Sequence, residues 1–348
     1  MRRSGRAGFE EPLGKESAPE ITLIVTSYSA RRIDDIARLF GSIANQQGAN
    51  VEVIFVAEGH SDLADRVSRL GRAIGIPALR VIVNRNNRGL SASRNLAIPL
   101  ATAPILGFLD DDVWIPDSWA KSTKLYYSKS PSTIGLTGPI IPHWENESME
   151  WFPPEFEWLV SCSGWQRKIP STVRNVWGAN FSFRREVFEI CGLFSESHGF
   201  PKGTFEGSLG EDNEFSMRVR LLTGMNISFG PETWVLHTIH RYKSRWRFIV
   251  RRSFWLGFSR QLILRTYSAR FNELVAPESS LVHDIATRFL PATIRLARNK
   301  PRFAVRRCFL LIVSITCVFL GYTYGFFGAH SLGVPSMEQP ATSGGPQR

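Results

Sequence analysis

Cysteine is scarce in this chain. The four present, Cys162, Cys191, Cys308 and Cys317, include no Cys-x-x-Cys pair. That excludes a disulfide scaffold and a cysteine-based zinc fold, and reads as free thiols in a reducing compartment. An apolar core is missing from Met1–Glu20, so no secretory leader is expected. A phosphate loop is missing too. Gly14-Lys15 supplies its Gly-Lys pair, but Phe9 stands where the first glycine belongs and Glu16 where Ser or Thr belongs. Acidic residues are scarce in one region only. Residues 241–307 hold 16 Lys/Arg against 3 Asp/Glu, whereas residues 1–240 hold 25 against 27. The net charge of +11 is therefore local. A basic segment of this kind serves nucleic acid or an anionic membrane.

The stretch after the basic segment decides between those two. Cys308 to Gly328 carries no charged side chain over 21 positions. As a helix that run crosses a hydrocarbon core of about 30 Å. Arg302, Arg306 and Arg307 precede it, so the positive-inside rule places the bulk of the chain in the cytoplasm. The competing reading is a buried core helix, since Gly321, Gly325 and Gly328 dilute the apolar run. No nucleic-acid motif accompanies the charge, and a nucleic-acid partner is not expected. Lys243–Arg265 interleaves Arg and Lys with Trp246, Phe248, Ile249, Phe254, Trp255 and Phe258. It reads as a helix at a membrane surface or, equally, as a helix packed on a core. Leu281–Ala297 has a weaker pattern of the same kind, interrupted by Pro291.

Earlier in the chain, apolar runs alternate with helical spacing. Strands are expected at Ile21–Thr26, Val51–Ala57, Leu79–Asn84 and Ile105–Leu109, with helices at Ile33–Ala44, Asp62–Ile74 and Ser91–Leu100. Continuous apolar strands between helices imply an α/β fold with a mostly parallel sheet covered on both faces. Ligands bind at the carboxyl ends of such strands. Further strands are expected at Trp177–Phe183, Asn226–Phe229 and Thr233–Leu236, and a helix with an acidic first turn at Glu211–Leu222.

Asp110-Asp111-Asp112 directly follows one of those strands. Three adjacent carboxylates repel one another, and a hard divalent cation relieves the conflict. Alone, the triplet serves equally as a solvated turn or a helix cap. Asn87-Arg-Gly-Leu-Ser-Ala-Ser-Arg94-Asn95 precedes it, a turn into a helix whose N-terminus and arginine suit a diphosphate. Gly210-Glu211-Asp212 opens a later helix. A carboxylate there acts as a cap or as a general base. His237 is a structural histidine or a metal ligand.

The order of these parts resembles glycosyltransferase family 2, with the GT-A fold, from about Ile21 to His237. Thr26-Ser27-Tyr28-Ser29 is similar to the family's first-strand turn. Ala57-Glu58-Gly59 is similar to its base-binding turn, with Glu58 where Asp is usual. The resemblance implies donor contacts from Thr26, Tyr28, Glu58, Arg94, Asp110 and Asp111. It implies Mg²⁺ or Mn²⁺ on Asp112 and His237, acceptor contacts from Trp177, Asn180 and Glu211, and Asp212 as the base. The expected organisation is a tail at 1–19, a GT-A domain at 20–240, a basic membrane-proximal helical region at 241–307, one transmembrane helix at 308–328 and a tail at 329–348. The implied reaction is inverting transfer from a UDP- or GDP-sugar to a hydroxyl of a lipid-linked saccharide, in a single-pass cell-membrane protein with a cytoplasmic catalytic domain. An alternative within the family charges a polyprenyl phosphate itself.

Overall fold

A computed structural model describes residues 18–59, 61–76, 78–85, 89–163, 171–196, 210–266 and 281–328. Nearly all of both expected tails, and Asn87, lie outside these residues. In chain order the first elements are β1 (Ile21–Ser27), α1 (Ile33–Ala44), β2 (Val51–Glu58), α2 (Ser61–Ile74), β3 (Leu79–Asn84), α3 (Leu90–Ala97), β4 (Ile105–Asp110) and β5 (Val113–Trp114). Then come α4 (Trp119–Lys129), β6 (Gly135–Thr137), β7 (Ile140–Trp144), β8 (Thr172–Val173), β9 (Asn180–Arg184), α5 (Glu186–Cys191), α6 (Glu211–Thr223), β10 (Ile227–Phe229) and β11 (Val235–Ile239). The carboxyl-terminal helices are α7 (Trp246–Thr266), α8 (Leu290–Asn299) and α9 (Pro301–Gly328).

The main sheet runs β3-β2-β1-β4-β9-β6-β10-β8, with β1 to β4 parallel. Every residue of β1 is buried, because the strand is covered on both faces. Alternate side chains serve two cores. Leu23, Val25 and Phe55 meet Ile36, Phe40 and Val67 of α1 and α2. Ile24, Ile54 and Phe108 meet Ala97, Phe181, Val187 and Phe215 on the other side. A second sheet, β5-β11-β7, stands at the edge where β4 ends. This mixed α/β arrangement is the expected GT-A architecture.

Several boundaries differ from expectation for local reasons. Pro99 cannot donate to a helical ladder, so α3 stops at Ala97 and a 3₁₀ turn follows. The Trp177–Phe183 strand begins only at Asn180, with Trp177 in an isolated bridge to Asn180. His237 lies inside β11 rather than after a strand ending at Leu236, since β11 is paired on both sides. α9 begins at Pro301, a residue suited to a helix's first turn.

The basic segment folds as a packed helix. Ile249 of α7 joins Trp151, Phe156, Phe289 and Leu310 in one cluster, and Ile263 and Leu264 join Met217 of α6 in another. α7 and α9 run parallel, with Trp246 on Phe309 (4.8 Å between rings) and Phe258 near Tyr324 (5.9 Å). Glycines set their closeness. A Cβ on Gly257 collides with the Val318 carbonyl, and one on Gly321 with that of Phe254. The outer face of α9 leaves Ile312, Phe319 and Phe327 exposed. By length and composition α9 is the one helix among the described residues able to cross a membrane.

Gly321→Leu must therefore part the two helices, and overpacking of this kind costs about 1–3 kcal/mol. A thermal scan of the detergent-solubilised chain should show a lowered midpoint; an unchanged midpoint contradicts this packing.

Candidate active site

β1, β2 and β4 finish at one sheet edge, because Thr26 pairs with both Val56 and Asp110. Thr26 and Glu58 are buried there, and Tyr28 just beyond β1 is exposed. Gly59 turns the chain with a φ of 72°, and its N–H donates to the Asn84 carbonyl at 2.9 Å. Burial pushes the Glu58 pKa up, against the pull of the Ser93 hydroxyl and Arg94.

β4 delivers the carboxylate triplet to the same edge. Asp110 is partly open, whereas Asp111 and Asp112 are buried. Burial, reinforced by the Asp112 charge, raises the Asp111 pKa to about 7. Its Oδ2 is enclosed without a hydrogen-bond partner. Burial acts on Asp112 in the same direction, but Lys243, His237 and Arg32 outweigh it and hold that carboxyl well below the usual range.

The contacts explain the difference. Arg32 Nη1 donates to Asp112 Oδ2 at 2.9 Å, and Lys243 Nζ lies 3.3 Å from the same oxygen. His237 Nε2 is 3.2 Å from Asp112 Oδ1, and Lys243 Nζ is 3.1 Å from that ring nitrogen. Backbone pairing fixes this cluster. His237 stands opposite Val113 across β5 and β11, and the Thr238 N–H donates to the Asp112 carbonyl at 2.9 Å. Arg32 closes a 3₁₀ turn, Ala30–Arg32, whose N-cap is Ser29. His240 Nε2 lies 3.2 Å from Asp35 Oδ2, and that carboxylate raises the imidazole pKa.

A second carboxylate cluster is assembled from α6 and the turn before β9. Gly178 N–H donates to Asp212 Oδ2 at 2.9 Å, and Asn213 N–H to Oδ1 at 2.8 Å. Burial raises the Asp212 pKa, opposed by these N–H groups and by Arg94 and Arg252. Arg94, 2% exposed, joins the two sides. Its Nη1 lies 3.2 Å from Glu211 Oε1, its Nη2 donates to the Gly178 carbonyl at 3.0 Å, and Nη2 is 3.6 Å from Asp110 Oδ1. The guanidinium also lies 5.1 Å over the Phe181 ring.

Thr26, Glu58, Asp110, Asp111 and Asp112 thus gather at one sheet edge, with His237 bound to Asp112. Arg94 ties that edge to Glu211 and Asp212. Trp177 is half-buried, next in the chain to the Gly178 that donates to Asp212. Asn180 is drawn inward instead: it is wholly buried, accepts the Trp119 indole N–H at 3.1 Å and donates to the Thr233 carbonyl at 2.7 Å. Arg32, Lys243 and Arg252 carry no signal of their own in the sequence. The last two belong to a basic run that reads as membrane-seeking before its contacts are known.

Three similarities bear on this geometry. The model for "Glycosyl transferase family 2" matches residues 22–191. A glucosyl-dolichyl phosphate glucuronosyltransferase of Haloferax volcanii is 26% identical over 309 residues, covering 88% of this chain and 96% of that protein. Residues 22–191 carry a glycosyltransferase family 2 domain. The mannosyltransferase PcManGT of Pyrobaculum calidifontis, solved with GDP-Man and Mn²⁺, superposes with a TM-score of 0.57 at 16% identity over 91% of both chains, a likeness of fold. The family match ends before α6 and β11. Asp212 and His237 of this glycosyltransferase therefore rest on the geometry above.

Removing Arg94 leaves Glu211 buried without its cation, a change that costs about 3–5 kcal/mol. Arg94→Met should lower the melting temperature sharply and abolish turnover. A variant melting like the wild type contradicts the linking role.

Proposed function

We propose that this glycosyltransferase moves a sugar, with inversion, from a UDP- or GDP-sugar to a hydroxyl of a lipid-linked acceptor. The observation that carries the reading is a single carboxylate, Asp212, fixed by two backbone N–H groups and tied through Arg94 to the triplet at the end of β4. Inversion needs one such base. Asp212 takes the acceptor proton as the hydroxyl oxygen attacks the anomeric carbon, and the nucleoside diphosphate leaves from the opposite face. Thr26, Tyr28, Glu58, Asp110 and Asp111 hold the nucleoside end. Glu211 orders Asp212, and Trp177 offers a flat apolar surface to the acceptor sugar. Arg94, enclosed and ion-paired, positions these carboxylates. The dolichyl phosphate named for the Haloferax relative supports a lipid-linked acceptor. α9 supports a single-pass membrane anchor, with Arg302, Arg306 and Arg307 at its cytoplasmic end.

Asp112 and His237 suit a divalent cation. Their facing atoms, Asp112 Oδ1 and His237 Nε2, are 3.2 Å apart, near enough that both could hold one ion. No cluster of three or more His, Cys, Asp or Glu ligands forms among the described residues, so donor phosphates must complete the shell. A Mg²⁺ or Mn²⁺ held by Asp112 and His237, which the GDP-Man and Mn²⁺ of the Pyrobaculum neighbour support, would supply positive charge to a leaving diphosphate. Lys243 Nζ lies against the same two side chains, so its positive charge would compete with a cation held there.

Three experiments test this reading. Asp212→Asn should lower turnover by about 10²–10⁴. A loss of only a few-fold points to an ionised phosphate as the acceptor. Since the base must be ionised, and burial raises its pKa, the acid limb of the kcat/KM profile should lie above the ordinary aspartate range of about 3.9. Separately, Lys243→Met removes a competing positive charge. Mn²⁺ titration of the donor-free variant should show binding about tenfold tighter or more; unchanged or weaker binding contradicts the shared site.

A further inference from the structure

α7 carries a cation that neither the donor side nor Arg94 accounts for. Arg252 sits on the helical stripe continued by Ser259 and Ile263. That stripe abuts the start of α6: a Cβ on Gly210 would lie 3.4 Å from Ile263 Cδ1 and 3.7 Å from Ser259 Cβ. Arg252 lies about two turns before Ser259 on the same stripe, on the side of α7 turned toward α6. Among carboxylates, Asp212 acts on it most strongly, followed by Glu211 and Asp110. None forms an ion pair with it among the described residues. Its one hydrogen bond is from Nη2 to Ser161 Oγ at 2.9 Å, and its enclosed Nε has no partner.

A half-buried guanidinium with an enclosed, unpartnered Nε and no ion pair among the described residues is incompletely satisfied, and burial lowers its pKa to about 10. Such a group is completed by an anion. A guanidinium edge matches two oxygens of a phosphate. Its location says which phosphate. Arg32 and Lys243 already crowd Asp112 on the donor side. Arg252 instead borders the base. It also lies on the helix to which apolar α9 is clamped, five residues before the contact at Gly257.

We infer that Arg252 docks the acceptor's phosphate, the group joining an isoprenoid chain to its sugar, while the sugar hydroxyl faces Asp212. This inference rests on the lipid-linked acceptor proposed above and adds the subsite that recognises it. The hydrocarbon chain leaves toward α7 and α9, and the phosphate remains bound while the glycosidic bond forms.

The test uses the full-length chain in detergent with two acceptors: a short prenyl-phosphate-linked glucoside and an alkyl glucoside lacking phosphate. The wild type should prefer the phosphate-bearing acceptor. In Arg252→Met the ratio of kcat/KM for the two should fall about thirtyfold or more, as expected for a lost charge-assisted bond. The change should appear in acceptor KM, and Arg252→Lys should recover part of it. An unchanged ratio overturns the inference. So does a rise confined to the donor KM, which assigns Arg252 to the donor diphosphate. If Arg252→Met fails to fold, the ratio measured in Arg252→Lys decides, and wild-type discrimination retained in full overturns the assignment. A wild type that uses only soluble saccharides sinks the lipid-acceptor reading itself. Calorimetry with geranyl phosphate against geraniol then tests Arg252 separately, and equal binding of the two overturns its phosphate role.

Discussion

One buried guanidinium holds the two halves of this site together. Arg94 leaves α3, passes over the aromatic ring of Phe181, and reaches Asp110 of β4, the Gly178 carbonyl and Glu211 of α6. These belong to segments far apart in sequence. Fully desolvated, the charge is tolerable only when carboxylates and carbonyls surround it together. The position of Asp212 relative to the triplet is thus set by an electrostatic requirement of the core. The Gly178 backbone links the two, its N–H donating to Asp212 and its carbonyl accepting from Arg94.

The rest of the site repeats that logic with different cations. Carboxylates end the central strands because loops there are free to carry polar chemistry, but burial raises their pKa values unless positive charge is supplied. Asp112 has Arg32, Lys243 and His237, and is held ionised; Asp111 beside it has less support and is pushed up to about 7. Asp212 receives N–H donors and two more distant guanidinium groups, and remains raised. The same sheet edge therefore offers a carboxylate suited to holding a cation and another suited to taking a proton.

The sequence made the parallel half of the sheet plain, because β1 to β4 are continuous apolar runs at regular spacing and need no partner information to be recognised. It also revealed the triplet and the Glu-Asp pair, whose residue types are informative in themselves. The features it concealed depend on pairing and packing. His237 falls within β11 only because β5 and β7 flank that strand. Asn180 has a polar side chain suited to an acceptor, yet its partners Trp119 and Thr233 draw it inward. Lys243 and Arg252 sit in a basic run with interleaved aromatics, a pattern shared by surface and packed helices. The clusters that take in Ile249, Ile263 and Leu264 show that the packed one forms.

Because α7 packs on the catalytic domain and α9 packs on α7, the apolar helix is joined to the chemistry by a continuous core. The central claim is that a single base beside Arg94 transfers sugar by one displacement. The most direct measurement is the anomeric configuration of the product, read by proton NMR coupling after transfer from a nucleotide sugar of known configuration. The account predicts inversion. A product that retains the donor's configuration contradicts it.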